Sequence, residues 1–272
     1  MVELEHTRSL LSELGLNTAS ELLDAKLEDA MHKNSTYLSF LSELLEAEIQ
    51  EKKRRSEETR IKLSRLPHRK TLEEFDFGFQ PSIDVRQIRE LSTLAFVARK
   101  ENVIFLGPPG VGKTHLAVGI AMQALKSGMT VYYASLAHLI SDLKKANLQE
   151  KLARRWRVYT RPDILIIDEV GYMQLDRASA ELFFRLICAR YENGSIILTS
   201  NKYFGDWGEL MNDTVIATAM LDRLLHHAHI INIRGESYRL KNRIKGGVKV
   251  VPPADIPGLD NMARGVQTKT GD

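Results

Sequence analysis

Residues 107–114 bring together, in one short stretch, the side chains and the backbone freedom that bind a phosphate group. Their sequence, GPPGVGKT, fits the pattern G-x-x-x-x-G-K-[ST] without a mismatch. Glycine allows backbone N–H groups to face an anion in conformations that a Cβ atom would obstruct. Lys113 offers a positive charge to the β- and γ-phosphates of a nucleotide, and Thr114 offers a hydroxyl to Mg²⁺. The stretch therefore predicts a nucleotide-binding loop.

The residues on either side of this loop must hold it in place. Residues 103–106 form a short apolar run, which is typical of a strand buried on both faces. Residues 115–126 carry apolar side chains at helical spacing, so we expect a helix to begin at the end of the loop. The N-terminus of a helix favours an anion because its backbone dipoles converge there. The residues assigned to the nucleotide site are Gly107, Pro108, Pro109, Gly110, Val111, Gly112, Lys113, Thr114 and His115.

A second apolar run, residues 164–167, ends in two carboxylates, Asp168 and Glu169. A carboxylate at the tip of a strand beside a phosphate loop can hold Mg²⁺ through water, and the next one can polarise an attacking water. A plain turn is the alternative, but an acidic pair about fifty residues after a phosphate loop, with another predicted strand between them, is a specific signal for this chemistry. The sequence thus predicts an ATPase that uses ATP and Mg²⁺, with Thr114 and Asp168 at the metal and Lys113 and Glu169 in catalysis.

Two later segments carry polar side chains next to predicted strands. Asn201 follows the apolar run of residues 195–199, where a polar group can reach the attacking water. His226, His227 and His229 have no cysteine or carboxylate beside them at metal-ligand spacing, so we expect no metal site there.

The composition sets limits on the class of protein. The 272 residues suffice for one large domain and a smaller one, and the hydrophobic share of 43% suffices for a packed core. Lys and Arg number 38 against 35 Asp and Glu, so the net charge of +3 indicates no particular partner. A single cysteine rules out an internal disulfide framework. No signal-peptide pattern and no apolar run of membrane length are present, so we expect a cytoplasmic protein without membrane contact.

The charge is unevenly distributed, and residues 142–161, which we call the basic segment, have the most lopsided charge in the chain. Seven basic residues oppose Asp142 and Glu150 there, a balance of +5 that exceeds that of the whole chain. Trp156 and Tyr159 interleave with the basic side chains, a pattern that favours contact with nucleic acid. A solvated helix face is the alternative. The residues predicted to contact DNA are Lys144, Lys145, Lys151, Arg154, Arg155 and Arg157.

The pattern along the chain indicates four parts. Residues 4–66 are helical in pattern and contain no proline, and the exposed-looking residues 52–55 are basic. Phe75, Phe77 and Phe79 recur at period two, which suits a short strand, a strap over a nucleotide base, or packing of the linker onto the core. We expect a helical N-terminal domain (1–66), a linker (67–82), an ATPase domain (83–245) that begins with a helix over 83–100, and a flexible tail (246–272).

With these motifs in hand, the chain resembles the AAA+ ATPases of the initiator and helicase-loader group. Within that group it most resembles the IstB-type helper ATPases of bacterial insertion sequences, and DnaC-type helicase loaders are close relatives. The resemblance spans about residues 73–245 and rests on GPPGVGKT, ILIIDEVGY, LTSNKYFGDW, MLDRLLHH and GESYRLK. It implies an α/β fold, a P-loop core with a five-stranded parallel sheet between helices, and the helical pattern of residues 1–66 adds a small all-helical domain before it. The phosphate-loop strand would lie between the fifth and fourth strands, with the Asp-Glu strand next and the second strand at the edge.

The resemblance also implies roles for three residues outside the phosphate loop. Asn201 would be the first sensor residue, Arg223 the arginine finger that reaches the γ-phosphate of a neighbouring subunit, and Arg239 the second sensor. For Arg223, an exposed ion pair with Asp222 is the structural alternative.

The function implied by the resemblance is that of an ATP-dependent homo-oligomer that binds double-stranded DNA with weak sequence preference. It would deform the DNA and recruit or stimulate an IstA-type transposase. A DnaC-type replicative helicase loader, which handles single strands, is the alternative. A nucleotide-binding regulator without DNA contact is a third possibility, but it would leave the basic segment unexplained.

Overall fold

The computed structural model describes residues 2–239, and the predicted tail (246–272) lies outside them. The described chain begins with three helices: α1 (Val2–Glu13), α2 (Asn17–His32) and α3 (Tyr37–Ser64). Helix α3 begins where the Thr36 hydroxyl accepts a hydrogen bond from the Ser39 N–H at 3.2 Å. It ends at Arg65, which takes a left-handed conformation (φ 58°) ahead of Pro67.

The first half of α3 packs with α1 and α2 around a small core. Ala19, Leu23 and Leu44 are buried in it. The buried carboxylate of Glu48 accepts a hydrogen bond from the Ala19 N–H (2.9 Å) in the first turn of α2, where the helix dipole favours a negative charge. The last turns of α3 instead pack on the sheet domain, since Ile61 belongs to its main core. The division of the chain at residue 66 therefore stays a prediction.

The remaining described chain is built on one five-stranded parallel sheet. Its strands are β1 (Asn102–Leu106), β2 (Val131–Ser135), β3 (Ile164–Val170), β4 (Ser195–Ser200) and β5 (Ala228–Asn232). Their order is β2-β3-β4-β1-β5, and every pairing is parallel. This is the α/β arrangement and the strand order that the sequence resemblance implies.

Helices cover both faces of this sheet, so its strands read as continuous apolar runs. They are α4 (Val85–Ser92), α5 (Ala95–Ala98), α6 (Lys113–Lys126), α7 (Leu136–Leu148), α8 (Leu152–Thr160), α9 (Arg177–Arg190), α10 (Trp207–Met211) and α11 (Thr214–Leu225). A short 3₁₀ turn, Phe204–Asp206, precedes α10. Among residues 2–239 no helix has both the length and the apolar character needed to cross a bilayer.

Alternate strand residues point into two cores, one on each face. Phe105 and Ile166 face the core built with α4, α5 and α6. Ile104 and Ile167 face the core built with α7, α9, α10 and α11. Because all four side chains are completely buried, β1 and β3 form a rigid frame for the loops at their carboxyl ends.

Two local expectations differ from the structure. The helix expected over residues 83–100 is two short helices, α4 and α5, because Leu94 takes a left-handed conformation (φ 65°) between them. The linker aromatics do not form a strand, since residues 71–82 run through successive turns. Phe75 is buried in the core beside α6, which is the packing alternative considered for this segment.

Candidate nucleotide-binding site

The phosphate loop joins β1 to α6 in a conformation that only glycine can adopt at critical points. Gly112 is the N-cap of α6 and has φ 100°. A Cβ atom placed there would lie 2.5 Å from Cε2 of Phe75, far inside van der Waals contact. Gly112 therefore needs both its positive φ and its missing side chain. The loop ends at the N-terminus of a 14-residue helix, as the sequence predicts for an anion site.

Lys113 points back into the loop instead of out to solvent. Its Nζ donates to the carbonyl oxygens of Gly107 (2.7 Å) and Pro108 (2.8 Å). Burial lowers the pKa of this ammonium to about 8, against the opposing effect of Asp168, and the charge of Arg239 lowers it further. A phosphate group bound in the loop would supply the negative charge that this buried ammonium lacks.

Asp168 is the most heavily hydrogen-bonded carboxylate of the site and is almost fully buried (2% exposed). The Thr114 hydroxyl lies 3.0 Å and 3.1 Å from its two oxygens. Tyr133 donates to Oδ2 at 2.6 Å, and the Thr199 hydroxyl donates to Oδ1. Burial, together with the hydrogen bond to Asp168, raises the pKa of Tyr133, so its hydroxyl keeps its proton. The donor set of a carboxylate and hydroxyl oxygens is the kind that Mg²⁺ prefers.

Glu169 points away from Asp168 because β3 is irregular at this point. The register against β4 shifts between Ile167 and Val170, and Glu169 takes a positive φ of 62°. Its N–H donates to the Thr199 hydroxyl at 3.0 Å, and its side chain is exposed. The bulge therefore separates the two carboxylates, leaving Asp168 buried beside Thr114 and Glu169 free to contact water.

Asn201 follows β4 and lies next to the tip of β3. A Cβ atom on Gly171 would be 2.5 Å from its Oδ1 atom. This oxygen is buried, and no hydrogen-bond partner for it exists among the described residues. A buried acceptor without a donor carries a free-energy cost of about 1–3 kcal/mol, which a water or ligand donor would remove.

Arg223 and Arg239 lie at opposite ends of the strands, Arg239 near their carboxyl ends and Arg223 near their amino ends. Arg239 is on the phosphate-loop side, since its charge acts on Lys113, and the neighbouring Tyr238 N–H donates to the Gly110 carbonyl at 2.9 Å. Arg223 lines a small cavity with Asn102, the first residue of β1, at the amino ends of the strands. Its guanidinium donates to the Ala219 carbonyl at 2.8 Å and lies 5.1 Å from the centre of the Phe184 ring. These contacts replace the ion pair with Asp222 that was the structural alternative.

His115 and the linker hold the start of α6, directly after the phosphate loop. Nε2 of His115 lies 2.8 Å from the Thr71 carbonyl, and its ring meets the Phe75 ring edge-on at 5.2 Å. At the other end of α6, Arg60 of α3 donates to the Leu125 carbonyl at 3.1 Å. The chain before residue 83 therefore holds the phosphate-loop helix at both ends. A role for Phe77 or Phe79 as a strap over the nucleotide base stays a prediction.

The structure divides the basic segment into paired and free residues. Lys144 forms an ion pair with Asp176 (2.7 Å), and Arg155 forms one with Asp142. Tyr159 is completely buried and donates to Asp142 at 2.6 Å, so it belongs to the core and not to a stacking surface. The residues of the predicted DNA set that remain exposed are Lys145, Lys151, Arg154 and Arg157.

The histidines near residue 227 have carboxylate neighbours in the fold that their spacing in the sequence does not show. His229 lies 2.8 Å from the Glu101 carboxylate. Glu192 lies with His226 and His227, and their ligand atoms are all within 4.8 Å of one another. Glu192 comes from the turn after α9, more than thirty residues away in the sequence, so spacing could not reveal it.

Sequence reasoning also missed the two hydroxyls that hold Asp168. Tyr133 and Thr199 come from the two strands that flank β3, and each lies at least thirty residues from Asp168 in the sequence. The available signal was a hydroxyl-bearing residue within a mostly apolar strand: Tyr133 lies in the middle of β2, and Thr199 is next to last in β4.

A phosphate loop after β1, with an acidic pair on β3 and a polar residue after β4, defines a P-loop protein of the AAA+ class. The family described as "IstB-like ATP binding protein" matches residues 9–246. The chain belongs to this family of ATP-binding proteins.

Individual relatives agree with this assignment. The chain is 54% identical over 230 residues to the "Insertion sequence IS5376 putative ATP-binding protein" of Geobacillus stearothermophilus. That alignment covers 85% of this chain and 92% of the relative. It is 51% identical over 239 residues to the "Insertion sequence IS21 putative ATP-binding protein" of Pseudomonas aeruginosa. That alignment covers 88% of this chain and 90% of the relative. AMPPCP-bound DnaA of Aquifex aeolicus has a similar fold, with a TM-score of 0.52 at 21% identity over 69% of this chain and 58% of that one.

Proposed function

We propose that this chain hydrolyses ATP with Mg²⁺, assembles in the ATP-bound state on duplex DNA, and prepares that DNA for an IstA-type transposase. The observation that carries the ATPase part is the arrangement around Asp168. It joins the phosphate loop to β3 through the Thr114 hydroxyl at 3.0 Å, while Glu169 stays exposed beside it. The transposition part rests on the family and on relatives named for insertion sequences.

Each proposed catalytic group has one task in hydrolysis. Lys113 and the loop N–H groups bind the phosphates, and Thr114 and Asp168 would hold Mg²⁺. When bound, Mg²⁺ would supply positive charge that stabilises the negative charge on the phosphates. Glu169 takes up the proton of the attacking water, and Asn201 orients that water through its buried, unpartnered oxygen.

Arg223 cannot serve the phosphate loop of its own subunit. It shares a cavity with Asn102 at the start of β1, whereas the loop begins after Leu106 at the other end. The strand between them spans about 13 Å at about 3.3 Å per residue. If Arg223 stabilises a γ-phosphate, that phosphate belongs to a neighbouring subunit, and ATP turnover then depends on assembly.

The free basic residues support a contact with the DNA backbone. Lys145, Lys151, Arg154 and Arg157 are exposed on or between α7 and α8. Contacts of this kind bind phosphates and carry no base readout, which fits weak sequence preference. At the predicted basic patch of α3, by contrast, Arg54 and Arg55 pair with Glu51 at 2.7 Å, so these side chains are already engaged.

The N-terminal helices offer a surface for assembly. Leu38, Leu41, Leu45 and Ile49 follow one another along α3, and all four are exposed. An apolar stripe of this length favours packing against another protein surface. We propose that it packs between subunits arranged around a duplex.

The test compares full-length protein with the Arg154→Ala/Arg157→Ala variant in filter binding across a salt series. We expect ATP-dependent binding that prefers duplex DNA to single strands of equal length. The variant should lose affinity evenly across sequences, and its salt dependence should fall by about two units, one per lost phosphate contact. The matched control is Arg177→Ala, which changes an exposed arginine paired with Glu181 on α9.

Two outcomes would contradict the proposal. Unchanged DNA affinity in the double variant would return the basic segment to a solvated helix face. Tight ATP-dependent binding of single strands, with a stable complex formed through residues 1–66 and a replicative helicase, would favour the helicase-loader function.

A further inference from the structure

Glu192, His226 and His227 form a cluster at the amino ends of the strands, away from the phosphate loop. Their ligand atoms lie within 4.8 Å of one another, and all three side chains are exposed. Glu192 follows the end of α9, and the two histidines follow the end of α11. The rings of His226 and His227 are tilted by 46° with centroids 4.0 Å apart, so they share one small region of space.

The surroundings of this cluster favour a positive ion. The C-terminal ends of α9 and α11 both meet here, and helix dipoles place partial negative charge at such ends. The Tyr191 hydroxyl lies 2.8 Å from Nδ1 of His226 and holds that ring in place, as outer partners do for metal-bound histidines. Lys100 and Arg223 line the adjoining cavity and oppose a cation, so binding should be weaker than in a buried structural site.

We propose that Glu192, His226 and His227 bind a divalent transition metal of the Zn²⁺ class. Two imidazoles and a carboxylate suit Zn²⁺, Co²⁺ or Ni²⁺, whereas Mg²⁺ and Ca²⁺ take oxygen ligands. Three protein ligands leave the fourth position of a tetrahedral site to water. With metal–ligand distances of about 2.1 Å, ligand atoms lie about 3.4 Å apart in such a site. Exposed side chains reach that separation by small rotations.

The site would join the turn after α9 to the end of α11, one helical turn beyond Arg223. It does not depend on the proposed ATPase or DNA functions, because metal binding is measured without nucleotide or DNA. A failure of either proposal therefore leaves the other standing.

The experiment is a calorimetric titration of ZnCl₂ into untagged full-length protein in excess Mg²⁺, which keeps Zn²⁺ from the oxygen ligands at Asp168. A parallel titration with CoCl₂ follows the visible absorption that Co²⁺ gains in a tetrahedral nitrogen and oxygen site. We expect a single equivalent of metal per chain. His226→Ala, His227→Ala and Glu192→Gln should each weaken binding by about 10-fold or more.

His32→Ala is the matched control, since His32 is an exposed histidine at the end of α2. It should bind metal like the unchanged protein. Circular dichroism of each variant confirms folding, which exposed positions should not disturb. Absence of saturable Zn²⁺ binding in the unchanged protein would overturn the proposal. The same holds if binding survives in folded His226→Ala and His227→Ala, or if His32→Ala lowers it equally.

Discussion

Replacing Arg223 with alanine separates a catalytic role across subunits from a structural role within one. Locally the change removes a hydrogen bond to the Ala219 carbonyl and a contact with the Phe184 ring. Together these stabilise the fold by about 1–2 kcal/mol at a partly exposed site. An arginine finger contributes about 10³-fold or more to turnover. That factor corresponds to about 4 kcal/mol of transition-state stabilisation, so the structural contacts are too weak to account for it.

The decisive assay measures ATP hydrolysis in mixtures of inactive variants. Arg223→Ala lacks the finger but keeps its own base, and Glu169→Gln lacks the base but keeps its finger. In an equal mixture with head-to-tail neighbours, about a quarter of the sites combine an intact base with an intact finger, so turnover should recover to about a quarter of normal. Mixing Arg223→Ala with the Arg223→Ala/Glu169→Gln double variant should restore nothing. Normal oligomers without recovery in the first mixture would refute a finger acting between subunits.

The remaining predictions concern the ATP site itself. Glu169→Gln should bind ATP normally but hydrolyse it poorly, because the metal position at Asp168 survives; a normal hydrolysis rate would show that Glu169 is not the base. Lys113→Ala, measured with a fluorescent ATP analogue, should fail to bind, because the phosphates lose their buried cation. Thr199→Val removes the hydroxyl that bonds both Asp168 and the Glu169 N–H, so it should lower the free energy of unfolding by about 1–3 kcal/mol and weaken Mg²⁺-dependent ATP binding. Denaturant melts and binding with and without Mg²⁺ check this, and an unchanged Mg²⁺ dependence would contradict it.

Much of the ATP site follows from local sequence, because its chemistry is built from short motifs on successive strands. The phosphate loop and the Asp168-Glu169 pair sit at the ends of apolar runs that became β1 and β3. The strand order came from the family resemblance, since local patterns do not specify which parallel strands are neighbours. The bulge that exposes Glu169 and buries Asp168 is not visible in the sequence, because both residues are equally acidic.

Other features depend on contacts between distant segments and could not be predicted from spacing. The count of charges in the basic segment could not show that Asp142 and Asp176 neutralise Arg155 and Lys144. The break between α4 and α5 occurs at Leu94, a residue that normally favours helix, so no glycine or proline marked it. In each case contacts between residues far apart in the sequence determine the local structure, and the sequence pattern alone does not show which residues make contact.

The anchoring of α6 at both ends gives the N-terminal helices a mechanical relation to the nucleotide. Arg60 near the end of α3 holds one end of α6, and Thr71 holds the other through His115. Helix α3 runs from Tyr37 to Ser64, so its first residue lies about 35 Å from the anchor at Arg60, at about 1.5 Å per residue. A tilt of about 5° at the anchored end would displace its far end by about 3 Å, roughly half the pitch of one helical turn. Helix α3 thus forms a lever arm whose short end rests on the phosphate-loop helix and whose long end carries the exposed leucines.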